Sequence, residues 1–397
     1  MYWHADRFQR VVGGPLKVYE LATNLTHLHH RVLLFIPNIG FPEQQTSAKV
    51  VPVPFIDLPV VRFLSFQLFS ILIALRFIVK NGRPDVIFVR IMWSFIPMLL
   101  GKVFHVPVML EVNDSPHRSY AHIQSKFKRR LVHLIDRISY RLSKHVLPAS
   151  YGIANDLELI ESISPDRMTV LPSGSNTDLF RPLDKSYCCE KLGLDFKRNY
   201  VGFIGTFYYY QGIDVLIDSA SSIIKKYPDV IFLLVGDGPM RSIWQKRVAL
   251  EGLDPFFIFT GFIPYQIVPF YSGASDVCIS PYLRETAQFS PVKVFDYLAC
   301  GKPAVISDVA DTRKIFQESK AALFIEPENP TELAHAIINL LGSRKKRELM
   351  GKNGRYFVVS RYDRKNIAIQ VEQIAATLCN QNIPRNKMDV KQHNSTF

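Results

Sequence analysis

FSPVKVFDYLACGKPAV, Phe289 to Val305, is the stretch on which the reading of this chain turns. Ser290 suits an N-cap and Pro291 the first helical position, where no backbone N–H is needed. Val292 to Cys300 then reads as a short helix, which Gly301 stops with a left-handed residue. Lys293 and Asp296 lie three apart and so share a face. A helix start offers free N–H groups and a positive dipole end, and Lys293 adds a full charge, so phosphate is the ligand expected there. Asp296, one turn deeper, suits the hydroxyls of a ribose carried by that phosphate.

Outward from this helix, apolar strands alternate with helices on both sides, which predicts parallel sheets covered on both faces. A chain of 397 residues exceeds one core and fits two domains. The expected division is 1–182, then 183–359, a helix over 360–379 that crosses back, and a disordered tail over 380–397. Residues 182–197 read as the link, and a strand is expected at Met168–Leu171. About a dozen residues precede the Gly13-Gly14 turn, too few for an ordinary opening strand, so the first domain is expected to lack that strand or to have been read from a late start. Two doubly wound domains place ligands at the carboxyl ends of their strands.

Net charge is +13, and between Arg62 and Lys144 basic residues outnumber acidic ones by about ten, which favours anionic lipid or phosphorylated substrates. No nucleic-acid motif accompanies this charge, so nucleic acid is not an expected partner. Phe63–Val79 is apolar over about seventeen residues, short of the roughly twenty that span a bilayer. It also contains Gln67 and Arg76, and reads as a buried or membrane-surface helix. Five cysteines without a C-x-x-C pair argue for a reducing compartment. The start shows no signal-peptide pattern. G-x-G-x-x-G after a first strand, the P-loop motif, D-x-D and His-Glu clusters are all missing, which disfavours nicotinamide cofactors and a dedicated metal.

Three more turns sit at strand ends. Gly205-Thr206-Phe207-Tyr208-Tyr209-Tyr210-Gln211-Gly212 and Gly236-Asp237-Gly238-Pro239 let backbone approach a ligand. At Glu111–His117, Asn113 and His117 are candidates to orient a substrate or move a proton.

Ser290-Pro291-Val292-Lys293 with Asp296-Tyr297-Leu298-Ala299-Cys300-Gly301-Lys302-Pro303 resembles the S-P-x-K-x-x-E-Y-M-A-x-G-x-P signature of the retaining glycosyltransferases of family 4, with GT-B fold. Gly13-Gly14, Leu171–Gly174 with Phe180–Pro182, Gly236–Pro239 and Thr260–Pro264 follow the same pattern in order. The resemblance implies transfer of a sugar from a nucleotide-diphosphate sugar to an acceptor with retained configuration. No metal or cofactor is expected. The charge of the first domain and its apolar helix add the expectation of a lipid-linked or polysaccharide acceptor, reached at the cytoplasmic face of a membrane.

By that resemblance Lys293 and the helix start (Ser290, Pro291, Val292) hold the diphosphate and Asp296 the ribose, in place of the family's usual Glu. Gly205, Phe207, Gln211, Gly236 and Gly238 border the donor, and Gly13 and Gly14 the reaction centre. The chain departs from the pattern at Gln211, where the family carries Lys, and near Phe207, where it often carries Arg. Gln288 replaces the first Glu of a pair, with Glu285 as a substitute, and Asn113 replaces a His. These departures keep open a second reading, a catalytically impaired sugar-nucleotide-binding or scaffold protein of the same fold.

Overall fold

The computed structural model describes residues 2–3, 14–38, 46–58, 61–90, 95–115, 125–284 and 291–381. The chain forms two compact units, Met1–Leu171 with Ile367–Phe397 and Pro172–Asn366. Each holds a six-stranded sheet in which every pairing is parallel. The α/β fold expected from the apolar strands is present in both.

In the first unit the elements run β1 (Tyr2–Trp3), α1 (Gly14–His27), β2 (Leu33–Pro37), β3 (Lys49–Val53), α2 (Val61–Asn81), β4 (Ile87–Arg90) and α3 (Ile96–Val103). Then come β5 (Val108–Val112), α4 (Lys126–Leu142), β6 (His145–Pro148) and α5 (Tyr151–Leu159). The sheet order is β3-β2-β1-β4-β5-β6. β1 corrects the expectation of a missing strand: Tyr2 and Trp3 pair with Leu34 and Phe35 on one side and with Phe88 and Val89 on the other. Two residues are too few to show a periodicity. The strand expected at Met168–Leu171 is reduced to a single bridge from Met168 to Val146.

α2 buries Phe66, Ser70, Ala74 and Ile78 and leaves Leu64, Leu68, Leu72 and Val79 exposed. It is long and apolar enough to cross a bilayer by composition, yet one face belongs to the core of this unit.

The second unit contains α6 (Lys185–Leu192), β7 (Asn199–Ile204), α7 (Ile213–Lys226), β8 (Val230–Val235), α8 (Arg241–Leu250), β9 (Phe257–Phe259), α9 (Val268–Ala274) and β10 (Val277–Ser280). α10 (Val292–Ala299), β11 (Ala304–Ser307), α11 (Thr312–Phe316), β12 (Ala322–Ile325), α12 (Pro330–Leu341) and α13 (Arg344–Phe357) complete it. The order is β12-β11-β10-β7-β8-β9. This unit begins at Pro172, ahead of the boundary expected at 182/183, because Phe180 is fully buried in it and the Ser175 N–H and C=O bond to Tyr362 and Arg364. The expected link is largely α6, whose Cys188 and Cys189 lie in the core.

The final helix, α14 (Arg364–Gln381), buries Ile367, Ala368, Val371 and Leu378 beside α1 and β2 of the first unit. The tail expected over 380–397 lies almost wholly outside the described residues.

Candidate functional site

In each sheet the strand order reverses at one place, between β1 and β4 in the first unit and between β7 and β10 in the second. Such a switch point leaves a crevice at the carboxyl ends, where ligands of doubly wound sheets bind.

In the second unit the turn after β7 and the helix after β10 meet at that point. Lys293, on the first turn of α10, sends its Nζ to the Oε1 of Gln211 at the far end of the Gly205–Gly212 turn. The ammonium lies 4.0 Å from the centre of the Phe203 ring and 5.1 Å from that of Tyr282. Each such contact contributes about 0.5–2 kcal/mol to holding a cation. Gly205 makes the approach feasible: a Cβ there would stand 2.9 Å from Lys293 Nζ. Gly212 has φ +68°, and a Cβ on it would overlap the Pro281 carbonyl oxygen at 1.8 Å, so the turn closes on β10 only with glycine. Among the described residues no carboxylate pairs with Lys293. Desolvation therefore pushes its pKa well below the ordinary lysine value.

Asp296, one turn along α10, accepts a 2.5 Å hydrogen bond from Ser175 Oγ on its Oδ1. Burial pushes its pKa up to about 7, and the Ser175 bond opposes part of that rise. Tyr297 faces the sheet, where its hydroxyl accepts from the Ile204 N–H at 2.8 Å and fixes the end of β7.

The two glycine turns are joined through backbone. Gly205 N–H donates to Val235 at 2.9 Å, Phe207 N–H to Asp237 at 2.9 Å, and Met240 N–H to Phe207 at 3.0 Å. A Cβ on Gly236 (φ +137°) would overlap the Gly205 carbonyl oxygen at 1.9 Å. Gly236 and Gly238 thus serve this turn-on-turn contact.

Phe207 departs from its expected place at the donor. Its side chain is fully buried, with ring centroids 5.4 Å from Trp244 and 6.1 Å from Phe203. The turn needs an apolar anchor where the family pattern has a cation. The start of α10 also differs from expectation. Pro291 occupies the cap position, with no side-chain cap bond, and Val292 is the first helical residue. Gly301 follows the helix with φ +70°, as expected. Ser290 and Glu285, like Gly13 and His117, lie outside the described residues, and Gly14 opens α1.

The first unit's switch point carries a different cluster. Lys17 of α1 pairs with Glu111 at 2.6 Å, with side chains 8% and 1% exposed. Asn113, with its amide nitrogen turned toward Glu111, donates to Oε1 at 3.2 Å and accepts from Arg90 Nε at 3.2 Å. Burial alone would raise the Glu111 pKa, but the charges of Lys17 and Arg90 and the bonds from Lys17 and Asn113 hold it below the ordinary value. Asn113 is thereby tied into an ion-pair network.

Sequence reasoning missed Ser175, Phe203 and Tyr282, which carry no motif of their own. It also missed the Lys17–Glu111 pair, although a carboxylate inside the apolar strand V-M-L-E-V signalled a buried partner.

Comparison with known proteins joins these features. Residues 15–179 match the family model "Glycosyltransferase Family 4", and residues 198–343 match "Glycosyl transferases group 1". The chain is 22% identical over 275 residues to an alpha-D-kanosaminyltransferase of Streptomyces kanamyceticus, covering 68% of this chain and 70% of that one. Among solved structures, a sucrose-phosphate synthase of Thermosynechococcus elongatus superposes with TM-score 0.76 at 19% identity, covering 93% and 94% of the two chains. HepE of Anabaena, solved with UDP-glucose, gives TM-score 0.74 at 17% identity, covering 95% of this chain and 99% of that one.

Proposed function

Since this chain is a glycosyltransferase of GT-B fold, we propose that it moves a sugar from a nucleotide-diphosphate sugar to a lipid-linked or polysaccharide acceptor, with retained configuration and without a metal. The observation that carries the donor reading is Lys293, a lysine held at a switch point, among the described residues, by neutral groups alone. A diphosphate placed there meets the ammonium and the first N–H groups of α10, and its negative charge restores the proton that desolvation disfavours. As the bond from the anomeric carbon to the diphosphate oxygen breaks, negative charge grows on that oxygen, and a fixed cation stabilises it. The acceptor hydroxyl bonds to the anomeric carbon on the same face, and its proton leaves with the departing phosphate. Asp296 accepts from the ribose hydroxyls. The complex of HepE with UDP-glucose supports a uridine nucleotide as the first donor to try.

The acceptor side belongs to the first unit, at the cytoplasmic face of a membrane. Leu64, Leu68 and Leu72 of α2, Val103 of α3, and Phe127, Leu131 and Leu134 of α4 are exposed. On α4 these alternate with Lys126, Lys128 and Arg130, the composition of a helix that lies on anionic lipid. Vesicles with anionic lipid should bind the protein in a salt-sensitive manner and neutral vesicles should not; equal binding to both refutes this part.

A second reading, a sugar-nucleotide-binding or scaffold protein without turnover, is favoured by Phe207 and Gln211, which put a buried ring and an amide where the resemblance would have cations. One screen separates the two. Nucleotide sugars are titrated against the wild type and the Lys293→Ala and Asp296→Ala variants, and product is assayed in parallel. Turnover that Lys293→Ala abolishes supports the enzyme, binding without product supports the scaffold, and no binding of any donor defeats both.

A further inference from the structure

We propose that the first unit has a second anion site, for a phosphate-bearing ligand, at the edge of its sheet opposite Asn113. A cavity of about 880 Å³ opens there, lined by Lys102, His105, Arg141, Lys144, His145 and Arg167, with Asp166 as its only carboxylate among the described residues. It lies where β5 and β6 begin, at Val108 and His145. Ligands of the catalytic reaction bind at the carboxyl ends of such strands, so this cavity is not part of the transfer site.

Four full cations face one carboxylate, and that carboxylate is already engaged by the Ser164 hydroxyl. Lys102, Arg141 and Lys144 make no ion pair among the described residues. Arg167 is held in place by carbonyls, donating to Tyr140 O at 3.1 Å and to Ser143 O. The His145 ring is fixed by Thr169 Oγ1 at 2.9 Å. The carboxyl ends of α3 and α4 reach this cavity through Gly101, Lys102, Arg141 and Leu142. Their partial negative charge explains how so many cations can be gathered without a ligand. It does not attract an anion, so the side chains must. His105 turns the chain at the rim with φ +55°, a left-handed conformation uncommon outside glycine.

Two sources of phosphate fit. On α4, Phe127, Leu131, Leu134 and Arg141 follow one another at helical spacing, so its exposed apolar stripe leads into the cavity. That geometry suits a phospholipid headgroup, and the same cations suit a free phosphorylated molecule.

The test uses the full chain carrying Lys293→Ala, so that the second unit's phosphate site does not contribute and the outcome is independent of the donor reading. Inorganic pyrophosphate is titrated by calorimetry, and phosphatidylglycerol vesicles are tested by flotation. Three triple variants are compared: Lys102→Ala/Arg141→Ala/Lys144→Ala, the charge-keeping Lys102→Arg/Arg141→Lys/Lys144→Arg, and the control Lys225→Ala/Lys226→Ala/Lys246→Ala, three exposed lysines of the second unit. The first should weaken binding at least tenfold with its melting temperature unchanged, and the charge-keeping variant should retain binding. Loss in the pyrophosphate arm identifies a free phosphorylated ligand, and loss confined to vesicles identifies a lipid headgroup. An equal loss in the control, an equal loss in the charge-keeping variant, or no loss in either arm overturns the site.

Discussion

Each sheet brings a lysine and a carboxylate to its switch point, and the two units use them in opposite ways. In the first, Lys17 and Glu111 are paired with each other, and Arg90 and Asn113 complete the network. In the second, Lys293 rests on Gln211 and two ring faces while Asp296 bonds to a serine. The pKa directions follow. Glu111 is held down by its cations, whereas Asp296 and Lys293 are both driven toward their neutral forms by desolvation. A paired charge makes a scaffold, and an unpaired one makes a place for a ligand of opposite sign.

The largest expected effect breaks the paired side. Glu111→Ala leaves the buried Lys17 without its carboxylate, beside the half-buried Arg90, and breaking such a pair costs about 3–5 kcal/mol. Denaturant titration should show the first unit losing that stability while nucleotide binding by the second is kept. The sign with pH follows from the lowered pKa of Glu111: its contribution is full above its unfolded value and is lost as pH falls through the folded one. A loss below about 1 kcal/mol would place Glu111 among exposed pairs. Next in size, Lys293→Ala removes the unpaired cation and should lower turnover about 100- to 1000-fold, the range for one preorganised charge-stabilising group. Turnover within about threefold of wild type would show that the diphosphate sits elsewhere.

The two sides were unequally legible in the sequence. α10 announced itself through Pro291, the apolar spacing from Val294 to Ala299, and Gly301, and its end came out as read. These are local signals, carried by neighbours within one helix. Phe207 misled because a turn residue is exposed by default, and nothing local shows that its ring fills a gap between Phe203 and Trp244. Ser175 and Asp296 are 121 residues apart, and such a contact exists only once the sheet has assembled. β1 was invisible for a simpler reason, since two residues can pair with both neighbours without showing any pattern.

A smaller effect comes from making the second unit resemble the first. Gln211→Glu gives Lys293 a resident carboxylate, which raises the lysine pKa and repels an incoming diphosphate. Donor affinity should fall about tenfold, or about 1.4 kcal/mol, with the fold intact. Unchanged affinity would mean that Lys293 does not meet the donor.

The smallest effect tests the unpaired carboxylate through stability alone. Asp296 is pushed up to about 7 by burial, from the 3.8 of a free carboxyl, so between those values the folded state binds more protons than the unfolded one. Stability from this group is therefore highest in acid, declines as pH rises through that window, and is lowest above about 7. Asp296→Asn keeps an acceptor for Ser175 and removes the charge, so it should melt a few degrees higher than wild type at pH 8. The gap should close at pH 4.5, where the wild-type carboxyl is itself neutral. Should the gap stay constant with pH, Asp296 is ionised and solvated in the free protein. Its difference from Glu111 would then lie in exposure rather than in the want of a partner cation.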